Sequence, residues 1–308
     1  MTSSSHLLRS IITGVFILFI LAIFPAIIFP AAGTGPVPAP LPAPVSPHAF
    51  VVTMAEVPPL EAFPNVTLYK LMSPARAQEK AATYPITEDL SLVNIAPGEG
   101  TRPHILLGTP EVMYLLDGTA TVCANGSMTE VSAGELVFIP GDTVQSTANN
   151  GRTPLRYISL LDPYYAESRE IRPNVTATTD ISRDSVPLRT WNRNDTTPLV
   201  SFDRMKIYQM VSPAATDHNG LNMTVPFSWA YVTVPATGGS LPHTLNATSE
   251  VIYVIAGSGT AHIGNETFAL HKGDTLFIPP DTVQSVTNTG SVPLEYLSLL
   301  DPYWRPET

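Results

Sequence analysis

With 308 residues, 44% of them hydrophobic and only 14% charged, the chain has material for two buried cores, since domains run to about 100–200 residues each. A formal net charge of −10 with no basic cluster excludes nucleic acid as a partner, because binding phosphates takes Lys and Arg. Cys123 is the only cysteine, which excludes an intramolecular disulfide and a multi-cysteine metal site.

Residues 1–10 are polar, with Arg9 the one firm charge besides the amino terminus. Residues 11–32 carry no charge and are almost wholly apolar, and about 20 such residues at 1.5 Å each span a bilayer core. The reading is a transmembrane anchor, with a cleaved secretory signal as the alternative. The positive-inside rule then puts 1–10 in the cytoplasm and the rest outside, or the chain is secreted. Residues 33–48 alternate proline with small residues, a polyproline-type stalk. Asn-x-Ser/Thr acceptors at Asn65, Asn125, Asn174, Asn194, Asn222, Asn246 and Asn265 fit a glycosylated exported protein.

From about residue 50 short strands take over, expected over 66–72, 90–95, 111–116, 120–123, 136–139, 143–147 and 155–160. Asp117-Gly118 and Asn125-Gly126 between them are read as hairpin turns, because both pairs accept positive φ. The whole set then recurs. Gly134-Glu-Leu-Val-Phe-Ile-Pro140-Gly-Asp-Thr-Val-Gln145-Ser is echoed by Gly273-Asp-Thr-Leu-Phe-Ile-Pro279-Pro-Asp-Thr-Val-Gln284-Ser, 139 positions later. The same offset maps Tyr69 onto Tyr208, Glu111 onto Glu250, and Ser159-Leu-Leu-Asp-Pro-Tyr164 onto Ser298-Leu-Leu-Asp-Pro-Tyr303. A repeat of this length is a duplicated domain rather than a solenoid unit. The divisions are therefore 49–165 for the first domain, 166–199 for a linker and lead-in strand, and 200–308 for the second.

The run Gly98, His104, Leu106, Glu111, Gly118 resembles the first motif of the cupin family, and Gly134, Pro140, Asp142, Gln145, Asn149 resembles the second. The second repeat matches at His243, Leu245, Glu250 and Gly257, then Gly273, Pro279, Asp281, Gln284 and Asn288. The resemblance implies a bicupin: all-β, two tandem jelly-roll barrels, here preceded by one N-terminal transmembrane helix. It also implies a pocket that often holds a divalent metal on two histidines and a glutamate from the first motif and one histidine from the second. In this chain Leu106 and Leu245 stand at the second histidine and Gln145 and Gln284 at the last. That leaves His104, Glu111 and Gln145, and His243, Glu250 and Gln284, as the metal-ligand candidates. Mn²⁺, Zn²⁺ or Fe²⁺, one per domain, would suit imidazole, carboxylate and amide oxygen, although an amide is a weak ligand.

Strand alternation puts Glu111 on one face with Met113 and Leu115, His104 with Leu106, and Gln145 with Thr147 and Asn149. If those faces point inward, Leu106, Met113, Thr147 and Asn149 line the first pocket, and Leu245, Ile252, Val286 and Asn288 the second. The opposite faces, Val112-Tyr114-Leu116 and Val251-Tyr253-Ile255, are apolar as well, so another sheet or the other repeat is expected to cover them, as an intramolecular cupin pair or in a homo-oligomer. A His, Glu and Gln turned inward can also form a metal-free hydrogen-bonded plug. Cys123 reads as a partly buried filler and Asp162 and Asp301 as strand terminators. Three functions follow. The first is a membrane-anchored, extracytoplasmic protein that binds a small molecule or carbohydrate, with a divalent metal on His, Glu and Gln as one way of holding it. The second is a metal-dependent hydrolase, isomerase or dioxygenase, against which stands the lack of a separate general base. The third is a structural cell-surface component.

Overall fold

Asp117-Gly118 opens the fold differently from the hairpin expected of it. Gly118 has φ +84°, but the strands on either side, Glu111–Asp117 and Thr119–Ala124, belong to different sheets. The turn is a corner at which the chain leaves one layer of a barrel for the other. A Cβ on Gly118 would sit 3.1 Å from the Leu155 Cα, so backbone packs where the side chain would be. Asn125-Gly126 is a true hairpin turn. Both residues have positive φ, 45° and 83°, and Thr119–Ala124 pairs in register with Ser127–Ser132, as a primed turn requires.

The structure is a computed structural model that describes residues 48–172, 188–202, 204–214, 220–305 and 308. These all belong to one compact unit, 45–308. They form an all-β pair of barrels, each with a large sheet and a small one. In the first barrel the large sheet runs through Glu135–Ile139, Glu111–Asp117, Leu155–Leu161, Asp89–Ile95, Val66–Met72 and Leu60–Phe63. Its small sheet is built from Glu170–Ile171, His104–Leu106, Val144–Ala148, Thr119–Ala124 and Ser127–Ser132. The second barrel repeats this plan between Leu199 and Asp301.

The barrels are not simply placed one after the other. Phe50–Val52, which precedes the first repeat, pairs with Thr275–Ile278 of the second barrel. Arg189–Asn192, from the segment between the repeats, pairs with Glu135–Ile139 of the first. Each repeat thus lends the other one edge strand across the boundaries drawn from sequence. The outer faces meet between the barrels. Val112, Tyr114, Val251 and Tyr253 share one buried cluster with Trp229, Tyr231 and Phe277, so the second apolar face of each strand packs against the other repeat. Separate clusters fill the barrels, around Met113, Leu115 and Val122 in the first and around Ile252, Val254 and Ala261 in the second.

A short helix over Pro74–Glu79 follows the first long strand where sequence suggested only a strand end. Ser73 caps it, its Oγ accepting from the Arg76 amide at 3.2 Å, and Pro74 suits the first helical position. The expected transmembrane helix needs correction. Among the described residues no helix is long and apolar enough to cross a membrane, and residues 11–32, like 1–10 and most of the Pro-rich stretch, lie outside them. The fold supported here is two interlocked jelly-roll barrels, with no membrane-spanning helix among the described residues.

Candidate functional site

Within each barrel three strand positions bring the candidate ligands together. His104 stands opposite Gln145 in the pairing of His104–Leu106 with Val144–Ala148, and Glu111 reaches them from the facing sheet. Gln145 Nε2 donates to Glu111 Oε2 at 2.7 Å and lies 3.4 Å from His104 Nε2. Ser159 Oγ donates to the other carboxylate oxygen at 2.6 Å. His104 Nδ1 sits 2.8 Å from the Arg102 carbonyl, which fixes the tautomer: Nδ1 carries the proton and Nε2 presents its lone pair. The second barrel repeats the arrangement. Gln284 Nε2 donates to Glu250 Oε2 at 2.8 Å and lies 3.5 Å from His243 Nε2, Ser298 Oγ donates to Glu250 Oε1 at 2.5 Å, and His243 Nδ1 is 2.8 Å from the Leu241 carbonyl. Burial pushes the Glu250 carboxyl up, against the opposing pull of Ser298, His243 and Gln284.

This donor set does not fit a resident divalent cation. Each repeat offers one imidazole and one carboxylate, with Leu106 or Leu245 where a further histidine would stand. Among the described residues no three or more His, Cys, Asp or Glu side chains are grouped to hold a metal. Both oxygens of Glu111 already accept hydrogen bonds, and the amide nitrogen, which cannot coordinate, is the atom Gln145 turns toward imidazole and carboxylate. In each barrel the amide nitrogen bridges carboxylate and imidazole, while in the second barrel the Gln284 carbonyl oxygen is buried without a hydrogen-bond partner among the described residues.

The first barrel also holds a cavity of about 330 Å³. Its inner wall is formed by Val66, Leu68, Val93, Leu106, Tyr157 and Thr147, with His104, Glu111 and Ser159 beside them. Charged groups surround the entrance. Lys70 Nζ pairs with Asp89 at 3.2 Å and lies over the Tyr165 ring, 5.0 Å from its centroid. Glu170 receives both Arg172 Nε and a terminal nitrogen at 2.9 Å, and the Tyr165 hydroxyl at 2.8 Å. Burial raises the Glu170 carboxyl, but the Arg172 and Tyr165 hydrogen bonds outweigh it and hold the group below the usual carboxylate range. Burial, followed by the hydrogen bond to Glu170, lifts the Tyr165 phenol to about 12. Asp89 is raised by burial, which Lys70 only partly offsets. The strap that supplies Tyr165, Glu170 and Arg172 is fastened to the barrel by pairing of Glu170 with Leu106 and by the Leu107 amide donating to the Arg169 carbonyl at 2.8 Å.

Of the residues expected to line pockets, Leu106 and Thr147 do so. Met113 is fully buried in the barrel core. Asn149 is a turn anchor instead of a pocket group: its Nδ2 donates to the carbonyls of Ile95 and Thr153, at 2.9 Å each, and its Oδ1 accepts from the Gly151 amide. Asn288 does the same for Val234 and Val292 at 3.0 and 2.8 Å. Ile252 and Val286 belong to the second core, and Leu245 is half-buried. Cys123 is half-buried on the hairpin strand opposite Met128. Asn65, Asn194, Asn222, Asn246 and Asn265 are exposed, Asn125 is half-buried with its Oδ1 on the Val144 amide at 2.9 Å, and Asn174 lies outside the described residues.

Sequence reasoning passed over Ser159, Tyr157, Lys70, Asp89 and the strap. Ser159 was within reach, since it stands in the repeated Ser-Leu-Leu-Asp-Pro-Tyr run on the alternation that turns Tyr157 inward. The strap carries no such signal, because its two-residue strand is made only by contact with the barrel.

Two segments, 91–161 and 230–300, match the family model described as Cupin domain. An uncharacterized protein of Methanocaldococcus jannaschii is 34% identical over 90 residues, which is 29% of this chain and 72% of that one. Among solved structures, oxalate decarboxylase of Bacillus subtilis at pH 4.6 superposes with a TM-score of 0.63 at 17% identity, over 83% of this chain and 77% of that one. The Ylba protein of E. coli gives 0.60 at 14%, over 82% and 90%. A formate complex of Lactobacillus farciminis oxalate decarboxylase gives 0.63 at 15%, over 82% and 86%. At these identities the structural likeness speaks for the fold.

Proposed function

This chain belongs to the cupin superfamily as a bicupin, and from that premise we propose that its first barrel is a receptor for a small polar molecule. The observation that carries the reading is the cavity of about 330 Å³ reaching the His104–Glu111–Gln145 cluster. That volume falls at the lower end of small-ligand sites, which combine apolar walls with a few convergent polar groups. Three charges around the cavity have no counterparts in the second repeat, where Glu61, Lys70 and Asp89 align with Val200, Gln209 and Ser228. In the receptor reading, the polar cluster orients the ligand at the inner end, and the Tyr165–Arg172 strap borders its entry.

No reaction step is assigned. Glu111 is saturated by two donors, and the imidazole faces an amide, so neither is placed as a free base. The reading is tested by thermal-shift screening of the full chain against a library of polar metabolites, beside a Leu68→Trp variant that fills the cavity. The expected result is at least one compound that raises the melting temperature of the wild type but not of Leu68→Trp. A shift that persists in the filled variant, or a library without a single hit, overturns the reading.

A further inference from the structure

The first barrel's lining restricts the chemistry of what it can receive. Four carboxylates, Glu61, Asp89, Glu111 and Glu170, face two permanent cations, Lys70 and Arg172. Both cations are already engaged, Lys70 by Asp89 and Arg172 by the two oxygens of Glu170. A carboxylate or phosphate entering this space meets no uncompensated positive charge and a surplus of negative charge, and it would shed its hydration for nothing in return.

Hydrogen-bonding capacity narrows the choice further. Tyr157 is buried and lines the cavity, and its hydroxyl has no hydrogen bond to any described residue. Burial first, and the Glu111 charge second, hold that phenol well above 10, so it is a donor in want of an acceptor. The Ser91 hydroxyl lines the same wall and is equally without a partner among the described residues. At the entrance the solvent-exposed Glu61 carboxylate has no described donor on it and can accept one from an occupant. An occupant that accepts from Tyr157 and donates to Ser91 and Glu61 engages all three groups at once. A carboxylate only accepts and an ammonium only donates, whereas hydroxyl groups do both.

We propose that the ligand of the first barrel is a neutral polyhydroxylated molecule of monosaccharide or cyclic-polyol size, and that the same pocket turns away small carboxylates. The proposal rests on the receptor reading and specifies its ligand. The second barrel is not built for such a ligand: Ser91, Thr147 and Val66 align with Ala230, Val286 and Met205, which removes two hydroxyls and adds bulk.

The test is isothermal titration of the full chain at neutral pH with four probes: D-galactose, myo-inositol, malonate and putrescine. At least one of the two polyols is expected to bind, with no heat from malonate or putrescine. Tyr157→Phe is expected to weaken the polyol about fivefold, the loss of one neutral hydrogen bond, with little change in melting temperature, while Tyr296→Phe in the second barrel leaves it unchanged. Polyol affinity that is indifferent to Tyr157→Phe overturns the assignment. Malonate or putrescine binding that Leu68→Trp abolishes, with both polyols silent, overturns the ligand class but keeps the receptor. Silence from all four probes overturns the ligand class, and it overturns the receptor as well where the metabolite library also gives no hit.

Discussion

The two barrels hold the same polar cluster to within 0.1 Å at each hydrogen bond, and in the first it is joined to charged groups at a cavity mouth, Lys70 and Asp89, that the second lacks at the aligned positions. What was kept in both repeats is the hydrogen-bonded unit of His, Glu, Gln and Ser. What differs is much of the surroundings: Lys70 and Asp89 against Gln209 and Ser228, Tyr165 against Trp304, Glu88 against Phe227. A buried polar cluster that persists while its surroundings diverge does a job common to both barrels, namely to tie the two sheets of each barrel together. The proposed binding, by contrast, is assigned to the barrel that carries charges and hydroxyls around that shared unit.

The largest expected effect tests what is common. Glu111→Ala strands the Gln145 amide, the Ser159 hydroxyl and the His104 imidazole, and Glu250→Ala does the same in the second barrel. Each is expected to cost about 3 kcal/mol, since every buried group left without a partner costs roughly 1–3. In urea unfolding both variants should shift one common transition, because each barrel contains a strand from the other repeat. Two separated transitions would show that the barrels are energetically independent.

The next effect contrasts Glu88 with its equivalent, Phe227. Burial, and then the Asp301 charge, raise the Glu88 carboxyl to about 7, and Asp162 nearby rises to about 6 for the same two reasons. A carboxyl with a folded pKa above its unfolded value stabilises the fold while protonated. Its contribution is complete below about 4.5 and is lost as pH climbs through 7. Stability should therefore fall by about 3 kcal/mol from this group between pH 4.5 and 8, and Glu88→Gln should flatten the slope. A melting temperature in Glu88→Gln with the wild-type pH dependence would rule Glu88 out as the source.

A smaller effect separates the two corner glycines. A Cβ at Gly257 would meet the Pro293 carbonyl oxygen at 2.5 Å, closer than the 3.1 Å contact at Gly118. Both have positive φ, so alanine is strained in either place. Gly257→Ala should cost about 2 kcal/mol and Gly118→Ala about 1, and equal melting temperatures would remove the distinction. A further variant acts on the strap: Glu170→Gln removes the charge that holds Arg172 and Tyr165, and should speed ligand release from the first barrel in stopped-flow measurements. Finally, dialysis of the full chain against Mn²⁺ and Zn²⁺ should leave elemental analysis well below one metal per barrel and the melting temperature unmoved. Near-stoichiometric metal lost on His104→Ala and His243→Ala would contradict the amide-bridged cluster.

Much of this was legible from the residues. The offset of 139 announced two like domains, and the alternation around Glu111, His104 and Gln145 brought three polar side chains to one face. The outer stripe of Val112, Tyr114 and Leu116 foretold burial on both sides, and its partner is the other repeat. Asn149 and Asn288 were misplaced because alternation gives the face of a residue but not the end of the strand at which a turn needs it. Asp117-Gly118 was read as a hairpin because local φ preferences do not say which sheet the next strand joins.

What the sequence determined by itself, then, is whatever is periodic or repeated: the duplication, the β class, the inward triad and the replacement of histidine by glutamine and leucine. Only the tertiary structure decided the rest. The exchange of Phe50–Val52 and Arg189–Asn192 between barrels, the salt-bridged mouth and the strap all depend on contacts between residues far apart in the chain. The bridging of Glu111 and His104 by the Gln145 amide depends on which side-chain atoms face each other across two sheets. Those are properties of distance in space, on which the order of residues along one strand has no hold.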